Sequence, residues 1–287
     1  MMTLISPTPA VSAVTTRTHD LERALEDVRA SRPAATHVLQ LSDDPNTDGR
    51  QLAEAIDAEP LLTAQVLKLA NSAAFGMSRR VASTQHAVSV IGFDSVRAVA
   101  AILASGLRNH KTPAPVGFWN HAAATAAACS VLSSRFGLSR GEAFSLGLLH
   151  DLGAAVLCSV DPVAYAELDD EAGGSRSDTP SRCAQEVAVF GMSHAEAGAR
   201  LFGQWHFPEL FVDAIANHHD VLVGLSPHER VLLAGDALAH LVLQPAGVVE
   251  PDPTQLESLG ISSDALPDIT ALTLDYASDV LASLPNT

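Results

Sequence analysis

Aromatic residues and cysteines are scarce in this 287-residue sequence, and no long uninterrupted apolar run is present. Phe, Trp and Tyr together make up 5% of the chain, whereas hydrophobic residues make up 47%. The apolar residues are therefore mostly alanine, leucine and valine, and the first two favour helices. No apolar run reaches the roughly 18 residues that a membrane span needs, and residues 1–18 lack the basic segment and apolar block of a signal peptide. We therefore expect a soluble, cytoplasmic protein that is all-α.

Cysteine occurs three times, at Cys129, Cys158 and Cys183, and no Cys-x-x-Cys pair is present. Widely spaced thiols in apolar surroundings predict reduced core side chains rather than a disulfide or a zinc knuckle. Basic residues are also few, because 17 lysines and arginines stand against 33 acidic residues and give a formal net charge of −16. Such an acidic chain repels a phosphate backbone, so non-specific nucleic-acid binding is not expected.

Alternation of apolar and polar residues, the pattern of a half-buried strand, is absent, and so is any internal repeat. The apolar positions recur instead at helical spacing, and a capping-box pattern is found at Ser139 with Glu142, Ser193 with Glu196, and Ser226 with Glu229. These features predict a two-lobed helical bundle, with a Pro-containing connector at Asn109–Gly117. The expected units are a flexible tail (1–19), an N-terminal lobe (20–108), a second lobe (118–244) and an extension with a final helix (245–287).

Histidine, in contrast, is plentiful, and several of the 12 histidines stand beside carboxylates near the ends of predicted helices. The candidate metal ligands are His121, His150, Asp151, His194, His218, His219 and Asp236. The His150-Asp151 pair ends an almost wholly apolar helix, and a charge at the edge of a core needs a partner or a metal. Imidazole and carboxylate together suit ions such as Mn, Fe, Ni or Zn. Structural alternatives exist, since His121 could be a core histidine and the helix dipole could explain His218 and His219.

The sequence around these residues resembles the HD superfamily of metal-dependent phosphohydrolases. The run Phe144–Gly153 (FSLGLLHDLG) is similar to the superfamily signature, in which a first His, a His-Asp pair and a later Asp bind a metal. The resemblance assigns these roles, in order, to His121, His150, Asp151 and Asp236. It assigns the further histidines of the two-metal HD-GYP branch to His194, His218 and His219.

The rest of the chain more closely resembles the HDOD family, from about Val38 to Leu243. Several blocks occur in the family's order: Leu52–Ile56 (LAEAI), Glu59–Leu61 (EPL), Leu67–Gly76 (LKLANSAAFG), Ala87–Phe93 (AVSVIGF), Phe118–His121 (FWNH), Phe190–Gly198 (FGMSHAEAG) and Trp205–Pro208 (WHFP). The resemblance implies a second lobe that is HD-domain-like. It also implies a regulatory or scaffold role. We expect signalling proteins to be bound in trans, and we expect no membrane partner.

Three departures from the HD-GYP pattern argue against hydrolysis of cyclic dinucleotides. Ala154 stands where active members carry Lys, Gly117 is not the Glu that such sites often add, and residues 220–226 (DVLVGLS) lack a Gly-Tyr-Pro motif. Binding of one or two divalent ions (Fe, Mn, Ni, Zn or Mg) is still compatible with the ligand set, and occupancy is left open. The main hypothesis is a non-catalytic signalling module. The alternative is a metal-dependent phosphohydrolase, acting as a phosphodiesterase or nucleotidase.

The partner-binding surface is predicted in the N-terminal lobe rather than at the histidines. The block Leu61–Gly76 offers no nucleophile with a base and no ligand cluster, yet the resemblance is sharpest there. The surface consists of Phe75, Met77, Arg79 and Arg80, and side chains of these types are enriched at interfaces. The alternative is that Phe75 packs in the core.

A specific DNA-binding regulator is the third hypothesis, because Gly92 separates two helical segments. The second of these segments carries only Arg97 as a basic residue, so this hypothesis is the weakest. The oligomeric state is left open.

Overall fold

The computed structural model of the protein describes residues 9–28, 33–76, 80–106, 114–171, 180–219, 224–243 and 253–284. Every regular element in these ranges is a helix, which confirms the all-α prediction. The helices are α1 (Pro9–Val28), α2 (Pro33–Asp43), α3 (Gly49–Asp57), α4 (Pro60–Ala70), α5 (Thr84–Ser105), α6 (Phe118–Leu132), α7 (Arg140–Leu149), α8 (Leu152–Val160), α9 (Pro162–Glu171), α10 (Pro180–Phe190), α11 (His194–Gln204), α12 (Glu209–Ala216), α13 (Pro227–Leu243), α14 (Pro253–Ser258) and α15 (Leu266–Ser283). Short 3₁₀ turns lie at Ala73–Phe75, Ser133–Phe136 and Ser263–Ala265.

Side-chain caps determine where several of these helices begin. The Asp48 carboxylate accepts hydrogen bonds from the backbone N–H groups of Arg50 and Gln51, and the Gln51 side chain accepts one from the Asp48 N–H. The hydroxyls of Ser83, Ser139 and Ser193 cap α5, α7 and α11 in a similar way. Each cap satisfies an amide that the first helical turn leaves without a partner.

The helices differ from expectation at the N-terminal end. Helix α1 begins at Pro9, so residues 9–19 of the predicted flexible tail are helical. Helix α2 was not predicted, although Pro33 stands at its first position. Proline is common there, because the N–H that it lacks would have no partner within the helix. Residues 107–113, which include most of the predicted connector between the lobes, lie outside the described residues.

Helix α6 lies at the centre of the HD-like lobe, with α7, α13 and α15 packed around it. Six of its 15 residues are alanine, and these small side chains let neighbouring backbones come close. A Cβ atom at Gly147 of α7 would lie 2.6 Å from the Thr125 carbonyl oxygen, and one at Gly235 of α13 would lie 3.2 Å from the Cys129 nitrogen. These close approaches bring the end of α7 and the middle of α13 beside His121 of α6.

The N-terminal lobe packs α2, α3 and α4 against α5, which also contacts α7 of the other lobe. Helix α5 is broken at Gly92, whose φ of 78° is accessible to glycine but strained for other residues. Arg97, in the second half of α5, is 5% exposed and binds the Trp205 carbonyl oxygen at 3.0 Å and the Asp43 carboxylate at 3.2 Å. The guanidinium group of Arg97 is therefore buried and bound within the protein, so it is not available to contact DNA. The DNA-binding hypothesis relied on this one basic residue.

Two apolar stretches, Thr84–Ser105 and Arg140–Val160, have the length and composition of a membrane span. Other helices cover them, since 72% and 89% of their most apolar windows are buried. They therefore pack as core helices in this fold. The three cysteines form no disulfide; Cys129 and Cys158 are buried and Cys183 is half-buried, as expected for reduced thiols.

Candidate metal centre

The structure brings all seven predicted ligands together from five parts of the fold. His121 lies on α6, and the His150-Asp151 pair forms the junction between α7 and α8. His194 is the first residue of α11, His218 and His219 follow α12, and Asp236 lies on α13. Each side chain has a nitrogen or oxygen within 4 Å of a ligand atom on another of the seven.

The first cluster consists of His121, His150 and Asp236. The Nε2 atoms of the two histidines are 3.2 Å apart. Oδ1 of Asp236 lies 3.0 Å from Nε2 of His121 and 3.7 Å from Nε2 of His150. Three donor atoms from three helical segments therefore face a common point.

The second cluster consists of Asp151, His194, His218 and His219. The Nε2 atoms of His194 and His219 are 2.8 Å apart, and those of His194 and His218 each lie 3.5 Å from Oδ1 of Asp151. The same Asp151 oxygen is 3.5 Å from Nε2 of His150 in the first cluster. Asp151 thus stands between the two clusters.

Hydrogen bonds outside the clusters determine which nitrogen of three histidines carries the proton. Nδ1 of His150 is 2.8 Å from the Gly147 carbonyl oxygen, and Nδ1 of His218 is 2.6 Å from the Ile215 carbonyl oxygen. Nδ1 of His194 is 2.6 Å from a carboxylate oxygen of Glu186. Since these oxygens only accept, Nδ1 donates in all three rings, and a neutral ring directs its Nε2 lone pair into the cluster. Metal-binding histidines are usually supported in this way.

The charge state of these groups also fits a cation. Burial lowers the pKa of His150 to about 4, because the interior disfavours the imidazolium form, so this ring is neutral near pH 7. Nε2 of His218 is buried without a hydrogen-bond partner. Nitrogen lone pairs and carboxylate oxygens repel one another unless a proton or a cation lies between them. Their separations of 3.0 to 3.8 Å suit atoms that share an ion at about 2.1 Å.

Glu186 supports His194, a role that was not predicted from the sequence. Glu186 is fully buried and accepts hydrogen bonds from Nδ1 of His194 at 2.6 Å and from its backbone N–H at 2.8 Å. Nε of Arg182, one turn earlier on α10, lies 3.2 Å from the other Glu186 oxygen. Burial acts to raise the pKa of Glu186, but the hydrogen bonds that it accepts from His194 and the charge of Arg182 lower it overall. In the sequence, this Arg-x-x-x-Glu pair looks like an ordinary surface ion pair.

His240 is the second residue that was missed. It lies one turn after Asp236 on α13, with its Nε2 3.6 Å from Oδ1 of Asp236. Burial acts to raise the pKa of Asp236, but the hydrogen bond of His121 and the nearby charges of His240 and His121 lower it overall. Asp236 is therefore a carboxylate at neutral pH. The Asp-x-x-x-His spacing was the available signal, since residues four apart share a helix face.

We expect Glu186→Gln to weaken metal binding by about 10- to 100-fold, as loss of an outer partner of a ligating histidine does. Glutamine is a neutral, weaker acceptor for the His194 N–H, and its amide group would meet the Arg182 guanidinium. Titration against a chelating dye measures the effect. Glu196→Gln is the matched control, because Glu196 is exposed on α11 and pairs with Arg200. Equal affinities for Glu186→Gln and wild type would contradict the supporting role.

The predicted partner surface is described only in part. Phe75 ends a 3₁₀ turn and is half-buried, with its ring 5.5 Å from that of Phe144 on α7. Arg80 is exposed, whereas Met77 and Arg79 lie outside the described residues. Helix α15 lies beside this block, and Asp279 accepts a hydrogen bond from the Ala73 N–H at 2.7 Å. Phe75 thus packs partly against the core, and the surface stays a prediction.

Comparison with known sequences gives a family match and a longer relative. The family model described as "HDOD domain" matches residues 31–221. An uncharacterized protein of Treponema pallidum (strain Nichols) is 25% identical over 200 residues, which cover 69% of this chain and 38% of that protein. The matched region thus spans well under half the length of this curated relative.

Solved structures of similar fold cover almost the whole chain. An HDOD domain protein of unknown function from Geobacter sulfurreducens is 24% identical, with a TM-score of 0.61 and coverage of 94% of this chain and 98% of that one. A Shewanella amazonensis SB2B protein named provisionally as a phosphohydrolase is 21% identical, with a TM-score of 0.71 and coverage of 93% and 99%. A Marinobacter aquaeolei VT8 protein named provisionally for signal transduction is 25% identical, with a TM-score of 0.67 and coverage of 94% and 65%.

Proposed function

The chain belongs to the HDOD domain family, and from that premise we propose that it is a regulatory module that acts through protein–protein contacts and holds divalent metal in a buried centre. The observation that supports this most is the burial of the ligands. The side chains of His150, Asp151 and His194 are each 1% exposed. A hydrolytic centre must keep a position open for water and substrate.

The position after the His-Asp-x-Gly run supports the same proposal. Ala154 lies there in α8, is 1% exposed and offers no cation. Transfer of a phosphoryl group depends on positive charge placed against the phosphate oxygens. The active relatives in the superfamily resemblance carry a lysine at this position, and this chain does not.

Within this proposal, one ion would be held by the first cluster and one by the second, with Asp151 between them. A bound ion would supply fixed positive charge that neutralises Asp151 and Asp236. The ligands themselves come from α6, α11, α13, the α7–α8 junction and the segment after α12. Because only the folded chain gathers them, metal binding would stabilise this lobe.

A metal-dependent phosphohydrolase is the second candidate function. Two ligand clusters that share one carboxylate are the arrangement used in two-metal hydrolysis, where a pair of ions activates water and stabilises the leaving oxygen. This candidate requires that the buried ligand atoms become accessible to a phosphate.

An activity assay separates the two functions. Protein purified without a histidine tag and loaded with Mn²⁺, Fe²⁺ or Zn²⁺ is given bis(p-nitrophenyl) phosphate, a cyclic dinucleotide and a nucleoside monophosphate. We expect no turnover above that of the Asp151→Ala variant. Turnover that follows the metal content and disappears in Asp151→Ala would overturn the regulatory proposal in favour of the hydrolase.

We expect Arg79→Glu combined with Arg80→Glu to abolish partner capture in a pull-down from host lysate, with unchanged melting temperature and metal content. Reversing two charges in the proposed surface should repel an acidic partner site. The matched control is Arg23→Glu with Arg50→Glu, because these exposed arginines of the same half of the chain form solvent-screened ion pairs with Asp20 and Glu54. If both double variants capture the same proteins as wild type, the surface is excluded.

A further inference from the structure

His240 lies at the edge of the first cluster, beyond the last residue that the superfamily pattern assigns. It follows Asp236 by four residues on α13, so the two side chains project from the same face of the helix. Nε2 of His240 is 3.6 Å from Oδ1 of Asp236. That separation lies between the 3.0 Å from Nε2 of His121 to Oδ1 of Asp236 and the 3.8 Å from Nε2 of His121 to Oδ2 of Asp151.

A second contact places His240 beside another ligand of the same cluster. Its ring centroid is 4.8 Å from that of His121, with the two ring planes inclined by 40°. The centroids of His194 and His219, which both belong to the second cluster, are also 4.8 Å apart. His240 therefore stands against two members of the first cluster, one on α6 and one on α13.

The side chains of the first cluster become more exposed from His150 toward His240. The side chains of His150 and His121 are 1% and 5% exposed, that of Asp236 is 16% exposed, and that of His240 is 29% exposed. His240 thus lies on the solvent side. A catalytic ion keeps a water molecule or substrate on its open side, whereas a structural ion has that position filled by protein.

We propose that His240 is an additional protein ligand for the ion held by His121, His150 and Asp236. Three imidazoles with carboxylate favour Zn²⁺, Co²⁺, Ni²⁺ or Fe²⁺ over Mg²⁺, which prefers oxygen ligands. The inference rests on the proposed function, because it takes the first cluster to be a metal site. It would also supply a reason for a centre without hydrolysis, since a His240 ligand would fill the solvent-facing position that a hydrolytic ion keeps for water.

Cobalt(II) is a suitable probe, because its visible absorption changes with the number and type of its ligands. We expect His240→Ala to lower Co²⁺ affinity at the first site by at least the roughly 10- to 100-fold that loss of an outer-shell partner produces. The visible spectrum should change at the same time. Free imidazole, added to the His240→Ala protein, should restore the spectrum toward that of wild type by filling the vacated position.

Two controls make the outcome specific. His86→Ala removes an exposed histidine on α5 and should leave the Co²⁺ spectrum and affinity unchanged. A His194→Ala background weakens the second cluster, so that the signal reports the first, and far-UV circular dichroism verifies the fold of each variant. If wild type binds Co²⁺ and His240→Ala gives the same spectrum and affinity, the role of His240 is excluded while the metal centre stands. If wild type binds neither Co²⁺ nor Zn²⁺, the proposed metal centre fails as well.

Discussion

Asp151→Ala should remove metal from both clusters, which is the largest functional loss expected from one substitution. Oδ1 of Asp151 is 3.5 Å from Nε2 of His150 in one cluster and 3.5 Å from Nε2 of His194 in the other. Its Oδ2 lies 3.8 Å from Nε2 of His121. Loss of this carboxylate removes the oxygen that stands between the two clusters. The second cluster then keeps only histidine nitrogens, and Asp236 is the one carboxylate left in the first.

The change is also expected to lower the stability of the protein. Removing one partner from a buried polar cluster costs about 1–3 kcal/mol through the groups left unsatisfied. Metal content by plasma mass spectrometry and the melting temperature measure the two effects. Asp213→Ala is the control, because Asp213 is exposed on α12. Unchanged metal content together with an unchanged melting temperature in Asp151→Ala would contradict the role of Asp151.

Gly153→Ala should destabilise the protein by about 3 kcal/mol, the upper end of the usual effect of overpacking. A Cβ atom at Gly153 would overlap the carbonyl oxygen of His194 and lie 2.6 Å from the Gly198 nitrogen. Both of these are backbone atoms of α11, so no side-chain rotation relieves the clash. Helices α8 and α11 would have to separate, which would also move His194 away from Asp151.

Urea denaturation of Gly153→Ala beside Gly203→Ala tests this explanation. Gly203 lies on the same helix α11, and a Cβ atom there would meet no heavy atom within 4 Å. Alanine at this helical position should stabilise the protein by roughly 1 kcal/mol through its higher helix propensity. If Gly153→Ala proves as stable as Gly203→Ala, the close crossing of α8 and α11 is not what holds His194 in place.

Much of the fold and the ligand set could be predicted because the signals are local. A serine or aspartate cap bonds an N–H group two or three residues later, so neighbouring residues determine the start of the helix. The break at Gly92 likewise depends on that residue and not on distant segments. The His150-Asp151 pair stands out because it interrupts an apolar helix. Helix α2 was missed because it is short, and its apolar positions gain meaning only when α5 packs against them.

The residues around the ligands could not be predicted, because their roles depend on contacts between distant segments. Glu186 supports His194 only once α10 and α11 meet, and nothing in its neighbouring sequence separates it from a surface glutamate. His240 could have been found from its spacing to Asp236, but eleven other histidines made that spacing weak evidence. The burial of Phe75 could not be predicted either, because its half-buried ring packs against Phe144, which is distant in the sequence.

Anomalous X-ray diffraction from crystals of the protein grown with Zn²⁺ or Mn²⁺ tests the metal centre most directly. We expect one anomalous peak among His121, His150 and Asp236, a second among His194, His218 and His219, and Asp151 between them. Distances of about 2.1 Å from the peaks to the histidine Nε2 atoms would identify direct ligand bonds. The absence of any anomalous peak in both clusters, with the histidines bonded to one another through water, would contradict the account.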